Sequence, residues 1–362
     1  MLERCHTFRF DLHNLIRGEV SGPRWLLAPV IHELSSHEIE DTSSDPDLKI
    51  ILQTGGAARD SAEGHETLLR WRGSHLMASW QAALMEKESG GLFLHVAGNR
   101  LTRFIVAKWL VEPAVRVVAL KKGLVMTHAA ALSDGKRALL VSGPGGAGKT
   151  TWTLHWLQAG HPYLADDFSI VNGGECLPYL TPLRLGFMNV LQNEVLKDMQ
   201  TSLKIEAAAR TMLRRATGGR VKLYLKAPLH QAVPAAKVSG PVPVAGALFL
   251  DPQKEGQSSG RVSTLSAKDF AKILSRTDGE EMHGFGGNGE LPVMIRGSAF
   301  RKRQEELLTE LLGDAPCLSV AARPLPERAA LSSVKTLLDY LQKDQKCRDF
   351  HRSHNNCNAT EY

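Results

Sequence analysis

Residues 138–170, ALLVSGPGGAGKTTWTLHWLQAGHPYLADDFSI, constrain the fold more than any other part of this chain. An apolar run over residues 138–141 leads into Gly143-Pro144-Gly145-Gly146-Ala147-Gly148-Lys149-Thr150, which satisfies the pattern G-x-x-x-x-G-K-[ST]. A helical segment begins at about Thr150 and ends at Gly160, where a glycine can take the left-handed conformation that closes a helix. Strand, glycine loop and helix, in that order, form the context that makes the pattern meaningful. The glycines let successive backbone N–H groups converge at the positive end of the helix, which suits phosphate oxygens. The stretch therefore predicts a nucleoside triphosphate site built from Gly143, Gly145, Gly146, Ala147, Gly148, Lys149, Thr150 and Thr151. Lys149 is expected on the β- and γ-phosphates and the Thr150 hydroxyl on Mg²⁺.

Past Gly160, the apolar segment Tyr163-Leu164-Ala165 reads as a short strand, and Asp166-Asp167 follow it. A strand–helix–strand unit with parallel strands returns the chain to the edge where the loop lies. Both carboxylates are thus expected beside the phosphates. Adjacent residues on an extended chain point to opposite sides, so the pair divides two jobs. The expected division places Asp167 with Thr150 on the metal and lets Asp166 accept the proton of an attacking hydroxyl.

His128 stands shortly before the apolar run. The succession His128, strand, glycine loop, helix ending in Gly160-His161, then Ala165-Asp166-Asp167 resembles the catalytic core of the HPr kinase/phosphorylase family. Kinases of free serine or of peptide substrates share that core, which is distantly similar to phosphoenolpyruvate carboxykinase. The likeness is concentrated in residues 127–171. It implies an α/β fold with a P-loop kinase core and mixed sheet, a smaller N-terminal α+β domain beside it, and ATP and Mg²⁺ as cofactors. It also implies a catalytic set of Asp166, Lys149 and His128, the histidine either touching the transferred group or donating to a backbone carbonyl beside the loop. A basic residue downstream of the acidic pair is expected on phosphate: Arg220, Lys222 or, by preference, Lys226. Where the family carries a Glu-x-Arg-Gly-Leu-Gly type segment, Arg296-Gly297 is followed here by Ser298-Ala299-Phe300. The implied acceptor is then a serine-type hydroxyl of a small metabolite, a peptide or a protein other than HPr.

A length of 362 residues with 43% hydrophobic and 23% charged residues suits a globular protein of two domains. The expected division is 1–116, an α+β unit that positions substrate or mediates assembly; 117–342, the kinase domain; and 343–362, a polar tail. Charges near the N-terminus leave no room for a secretory leader, and residues 104–120 are interrupted by Lys108, Glu112, Pro113 and Arg116. No membrane span and a cytoplasmic location are therefore expected. Five scattered cysteines fit reduced thiols. A net charge of +6 suits an acidic partner without selecting nucleic acid. A second reading, a nucleic-acid-associated or regulatory NTPase, rests on the basic stretch from Lys197 to Lys226, in which Tyr224 is the only aromatic and no stacking platform forms.

Elsewhere the pattern predicts strands at 8–12, 50–53, 92–96, 244–250 and 317–321, a helical stripe over 102–111 and strand-like chain over 117–131. It also predicts a hairpin at Gly173-Gly174 and helices capped by Ser266, over 300–312 and over 329–341. The glycine run 284–289 reads as a mobile loop.

Overall fold

The computed structural model describes residues 5–40, 44–56, 65–75, 77–88, 90–216, 224–252, 262–283 and 298–322. Arg220, Lys222, the glycine run 284–289, Arg296-Gly297, the expected helix 329–341 and the tail 343–362 lie outside them. Among the described residues no helix is long and apolar enough to cross a membrane.

The chain opens with the antiparallel pair Cys5–Leu12 (β1) and Ile16–Pro23 (β2), in which alternate residues Phe8, Phe10, Leu12, Ile16 and Val20 are buried. Helix Arg24–Leu34 (α1) lays Leu26, Leu27, Val30 and Leu34 on the core at helical spacing. Leu48–Thr54 (β3), His65–His75 (β4), Ala78–Lys87 (β5) and Leu92–Gly98 (β6) complete a six-stranded sheet of order β1-β2-β3-β6-β5-β4. The β2–β3 and β3–β6 pairs are parallel and the others antiparallel.

The helical stripe over 102–111 is irregular. A 3₁₀ turn, Arg100–Phe104, precedes a π-helical stretch, Ala107–Val111, which passes into helix Glu112–Lys121 (α2). The strand expected over 117–131 begins only at Val125. Val115, Val117 and Val118 favour a strand by propensity, but α2 is buried nearly all round, and tertiary packing overrides propensity.

Short strands follow: Val125–Thr127 (β7), Ala129–Ser133 (β8) and Ala138–Ser142 (β9). Helix Lys149–Gln158 (α3) leads to Tyr163–Ala165 (β10), and Gly160, at φ +84°, closes the helix as expected. Ser169–Asn172 (β11) and Glu175–Leu177 (β12) form the hairpin across Gly173-Gly174. Then come Leu183–Leu185 (β13), Phe187–Gln192 (α4), Thr201–Ala216 (α5), Leu225–Ala227 (β14), Leu229–Ala232 (α6) and Val242–Pro252 (β15). Val262–Leu265 (β16), Ala267–His283 (α7), Ser298–Leu312 (α8) and Cys317–Ala322 (β17) end the described chain. The Ser266 hydroxyl caps α7 by accepting the Asp269 N–H at 3.0 Å.

The second sheet is mixed and forks at β15. One branch runs β10-β8-β9-β15-β17-β16, and the other joins the start of β15 to β12, β11 and β7. Strands β9, β15 and β17 are parallel neighbours. β10 runs in the direction of β9, as the strand–helix–strand reading expects, yet β8 lies between them and is antiparallel to both. The fold is α/β with mixed sheets.

Helix α2 spans the expected boundary at residue 116 and packs against β2 and β3 on one side and β7 on the other. One core runs from Phe10 and Leu27 through Val115 and Ala119 to Ile170, Phe270 and Leu308. The N-terminal unit is also pinned by polar contacts: His13 Nε2 lies 2.7 Å from the Pro178 carbonyl, and the Leu180 N–H donates to His37 Nε2 at 3.2 Å.

Candidate functional site

Strand β9, buried along its whole length, delivers the chain into the glycine loop. A Cβ on Gly143 would lie 2.7 Å from the Leu250 carbonyl oxygen of β15, so the loop leaves the sheet through a gap that only glycine fits. Gly148, at φ +103°, turns the backbone into α3 and has no side chain with which to cap it. The first-turn N–H groups, with Thr150 and Thr151, therefore face the loop without a side-chain cap, as an anion site requires. Lys149 is buried, and its Nζ donates to the Gly143 carbonyl at 2.5 Å and the Pro144 carbonyl at 3.5 Å. Gly145 and Gly146 form the exposed tip. Trp152 and Trp156 fix α3 against Leu139, Val141 and Leu248, and Trp156 Nε1 donates to the Ser133 carbonyl at 2.5 Å.

The acidic pair lies at the opening of α3. Its two carboxylates have different neighbours. The Thr150 hydroxyl donates to Asp166 Oδ2 at 3.1 Å, so Asp166, not Asp167, shares the Thr150 side. Alternation along an extended chain separates two neighbouring carboxylates; which one turns inward depends on how β10 meets β8, and that was not visible in local sequence. Burial, and then the neighbouring Asp167 charge, push Asp166 up to about 6, against the opposing pull of Thr153, Thr150 and Lys149. Its Oδ1 is buried without a hydrogen-bond partner. Asp167 faces the other way, 2.7 Å from an Arg184 guanidinium nitrogen and 3.4 Å from His128 Nδ1. Burial alone would raise its pKa, but Arg184, Lys108, His128 and Lys149 hold it well below the usual carboxylate range.

The raised pKa of Asp166 carries a stability cost with a definite sign. A carboxyl whose folded pKa exceeds its ordinary 3.8 keeps its proton longer when folded, so stability falls as pH rises from about 4 to 6 and stays lower above. Asp166→Asn is expected to stabilise the nucleotide-free protein at pH 7.5 by up to about 3 kcal/mol, with the gain vanishing below pH 4. Thermal melts at the two pH values check this, and an unchanged melt at pH 7.5 would contradict it.

Arg184 was missed at the sequence level, although Leu183-Arg184-Leu185 carried a signal. The two leucines are buried and the arginine projects to the opposite face. Its cross-strand partner on β14 is Lys226. Lys226, the residue expected on phosphate, forms an ion pair with Glu33 of α1. The β13–β14 register aims it at the N-terminal unit, and burial lowers its pKa to about 8.

His128 is set by a buried charge network. Its backbone N–H donates to Asp278 Oδ1 at 3.0 Å. Asp278 Oδ2 accepts from Arg116 at 2.9 Å, Thr127 Oγ1 at 2.9 Å and Gln304 Nε2 at 2.7 Å. Its ring lies edge-on to Phe168, centroids 5.1 Å apart, and meets Asp167. This geometry places the imidazole beside Asp167.

A cleft adjoins Asp167, with about 430 Å³ of space when the open solvent at its mouth is counted. Its polar lining includes Glu33, Lys108, Glu112, Asp167, Tyr179 and Arg184.

Among the described residues no group of three or more His, Cys, Asp or Glu side chains converges as a metal cage. The Thr150 hydroxyl and Asp166 carboxylate are nevertheless hard oxygen donors, and Asp166 Oδ1 is an unsatisfied buried acceptor. That pair fits Mg²⁺, which commonly takes one or two carboxylates and completes its shell with phosphate and water. No protein-family model matches this chain, and a search of curated proteins found no match.

Proposed function

We propose that the chain is an ATP-dependent kinase that transfers the γ-phosphoryl group to a hydroxyl, on a P-loop core of the HPr kinase and phosphoenolpyruvate carboxykinase type. The observation that carries this reading is the split of the acidic pair at the end of the glycine loop. Asp166 joins Thr150 on one side, and Asp167 joins His128 and Arg184 on the side of the cleft.

In this reading the loop amides and Lys149 hold the triphosphate. Thr150 and Asp166 would hold Mg²⁺, which neutralises phosphate charge when bound. Asp167 orients the acceptor hydroxyl and receives its proton. Arg184 keeps Asp167 ionised, so it is a weak base, but phosphoryl transfer passes through a loose transition state that demands positioning more than early proton removal. His128, beside Asp167, supports the same carboxylate once it gains the proton. Among the described residues of the basic stretch, three cations are engaged within the protein. Arg210 pairs with Glu206 and donates to the Tyr224 carbonyl, Arg214 lies over the Tyr224 ring, and Lys226 pairs with Glu33.

Incubation with γ-labelled ATP, Mg²⁺ and a panel of hydroxyl compounds and serine peptides tests the proposal. Asp167→Asn is expected to keep nucleotide affinity while transfer falls by roughly 10² to 10⁴, the usual contribution of a positioned base. Transfer that survives in Asp167→Asn would remove Asp167 from that role. ATP hydrolysis stimulated by RNA, without a phosphorylated product, would favour the nucleic-acid reading.

A further inference from the structure

The cleft beside Asp167 is walled by elements outside the nucleotide loop. α1 contributes Val30, Glu33 and Leu34, the π-helical stretch contributes Lys108, and α2 contributes Glu112. A π-helical turn inserted into a helix is a local irregularity often found at functional sites, and this one immediately precedes Glu112. The charges along the wall are not equivalent. Glu33 is paired with Lys226, and Asp167 with Arg184. Among the described residues the Glu112 carboxylate makes no hydrogen bond or ion pair, although the residue lines the same cleft. Burial raises its carboxyl to about 7 in spite of Lys108, so the surroundings leave that carboxylate undercompensated.

Resting on the kinase reading above, we propose that this cleft is the acceptor pocket and that it takes a small hydroxyl compound bearing a primary ammonium, with Glu112 as counter-ion. The hydroxyl meets Asp167 and the ammonium meets Glu112. The cleft's polar groups lie among the apolar side chains Val30, Leu34, Val111 and Val115, which suit the carbon skeleton of a small molecule. The N-terminal unit is then a specificity element, because α1 closes the wall facing the nucleotide core. An amino alcohol and a hydroxy amino acid share this chemistry and differ in a carboxylate, for which Lys108 on the same wall is the candidate cation.

The test uses the full chain with Mg²⁺-ATP and four acceptors: ethanolamine, serine, ethylene glycol and glycolate. The two amines are expected to show kcat/KM at least about tenfold above the amine-free pair. Glu112→Gln is expected to lower kcat/KM for the amines about 10- to 100-fold, the loss of a charge-assisted contact. Calorimetry is expected to give the same ATP affinity in Glu112→Gln as in the wild type. A lower kcat/KM for serine alone in Lys108→Met would identify the hydroxy amino acid as the source. Equal use of ethylene glycol, preference for glycolate, or labelling confined to peptides or proteins would overturn the acceptor assignment and leave the kinase reading standing. Absence of Mg²⁺-ATP binding by the wild type would overturn both.

Discussion

Lys149→Ala is expected to lower nucleotide affinity about 10- to 100-fold, and transfer by more, while leaving the fold intact. The ammonium lies inside the loop, 8% exposed, and donates to the Gly143 and Pro144 carbonyls. It is therefore desolvated before any phosphate arrives, and a charge-assisted bond formed from that position is worth about 1.5 to 3 kcal/mol. In the proposed transfer the same charge would oppose the negative charge spread over the transferred group, so the loss in kcat/KM should exceed the loss in affinity. Lys149→Met separates charge from packing, because it keeps most of the apolar stem. Both variants should lose ATP binding in calorimetry to a similar extent. If Lys149→Met bound ATP like the wild type, Lys149 would be a brace for the loop rather than a phosphate ligand.

The parts of this arrangement that depend on neighbouring residues were legible in the sequence. Strand β9, the glycine loop, α3 and its closing Gly160 follow from apolar runs, glycine conformations and helix spacing within one contiguous stretch. The hairpin across Gly173-Gly174 and the Ser266 cap have the same local cause. What required the whole chain was not legible. The insertion of β8 between β9 and β10 depends on the order in which strands find partners. The helical state of α2 depends on two sheets burying its valines from opposite sides. Asp166 and Asp167 were recognisable as a pair, but their orientation followed from the register of β10. Lys226 carried the right charge and was drawn to Glu33, a residue far away in sequence. Glu112 gave no sequence signal because its place in the cleft beside Asp167 arises only when α1 and α2 form a common wall.

Asp278→Ala is expected to destabilise the protein by about 3 to 5 kcal/mol, because it leaves the Arg116 charge buried without its partner. Both side chains are 2% exposed, and Asp278 also satisfies the Thr127 hydroxyl, the Gln304 amide and the His128 backbone N–H. Arg116→Met combined with Asp278→Leu should recover part of the loss, since an apolar pair removes the desolvation cost of both charges. Under the proposed kinase reading the network is also expected to affect turnover. It ties α2, α7 and α8 to the residue whose imidazole meets Asp167. Asp278→Asn keeps the side-chain shape but weakens these bonds, so His128 should lose its set position before the fold is lost. The expected signature is a lower kcat with unchanged ATP affinity, accompanied by a denaturant midpoint between those of the wild type and Asp278→Ala. A variant that lost stability in urea yet kept the wild-type kcat below its melting point would reduce the network to a purely structural support.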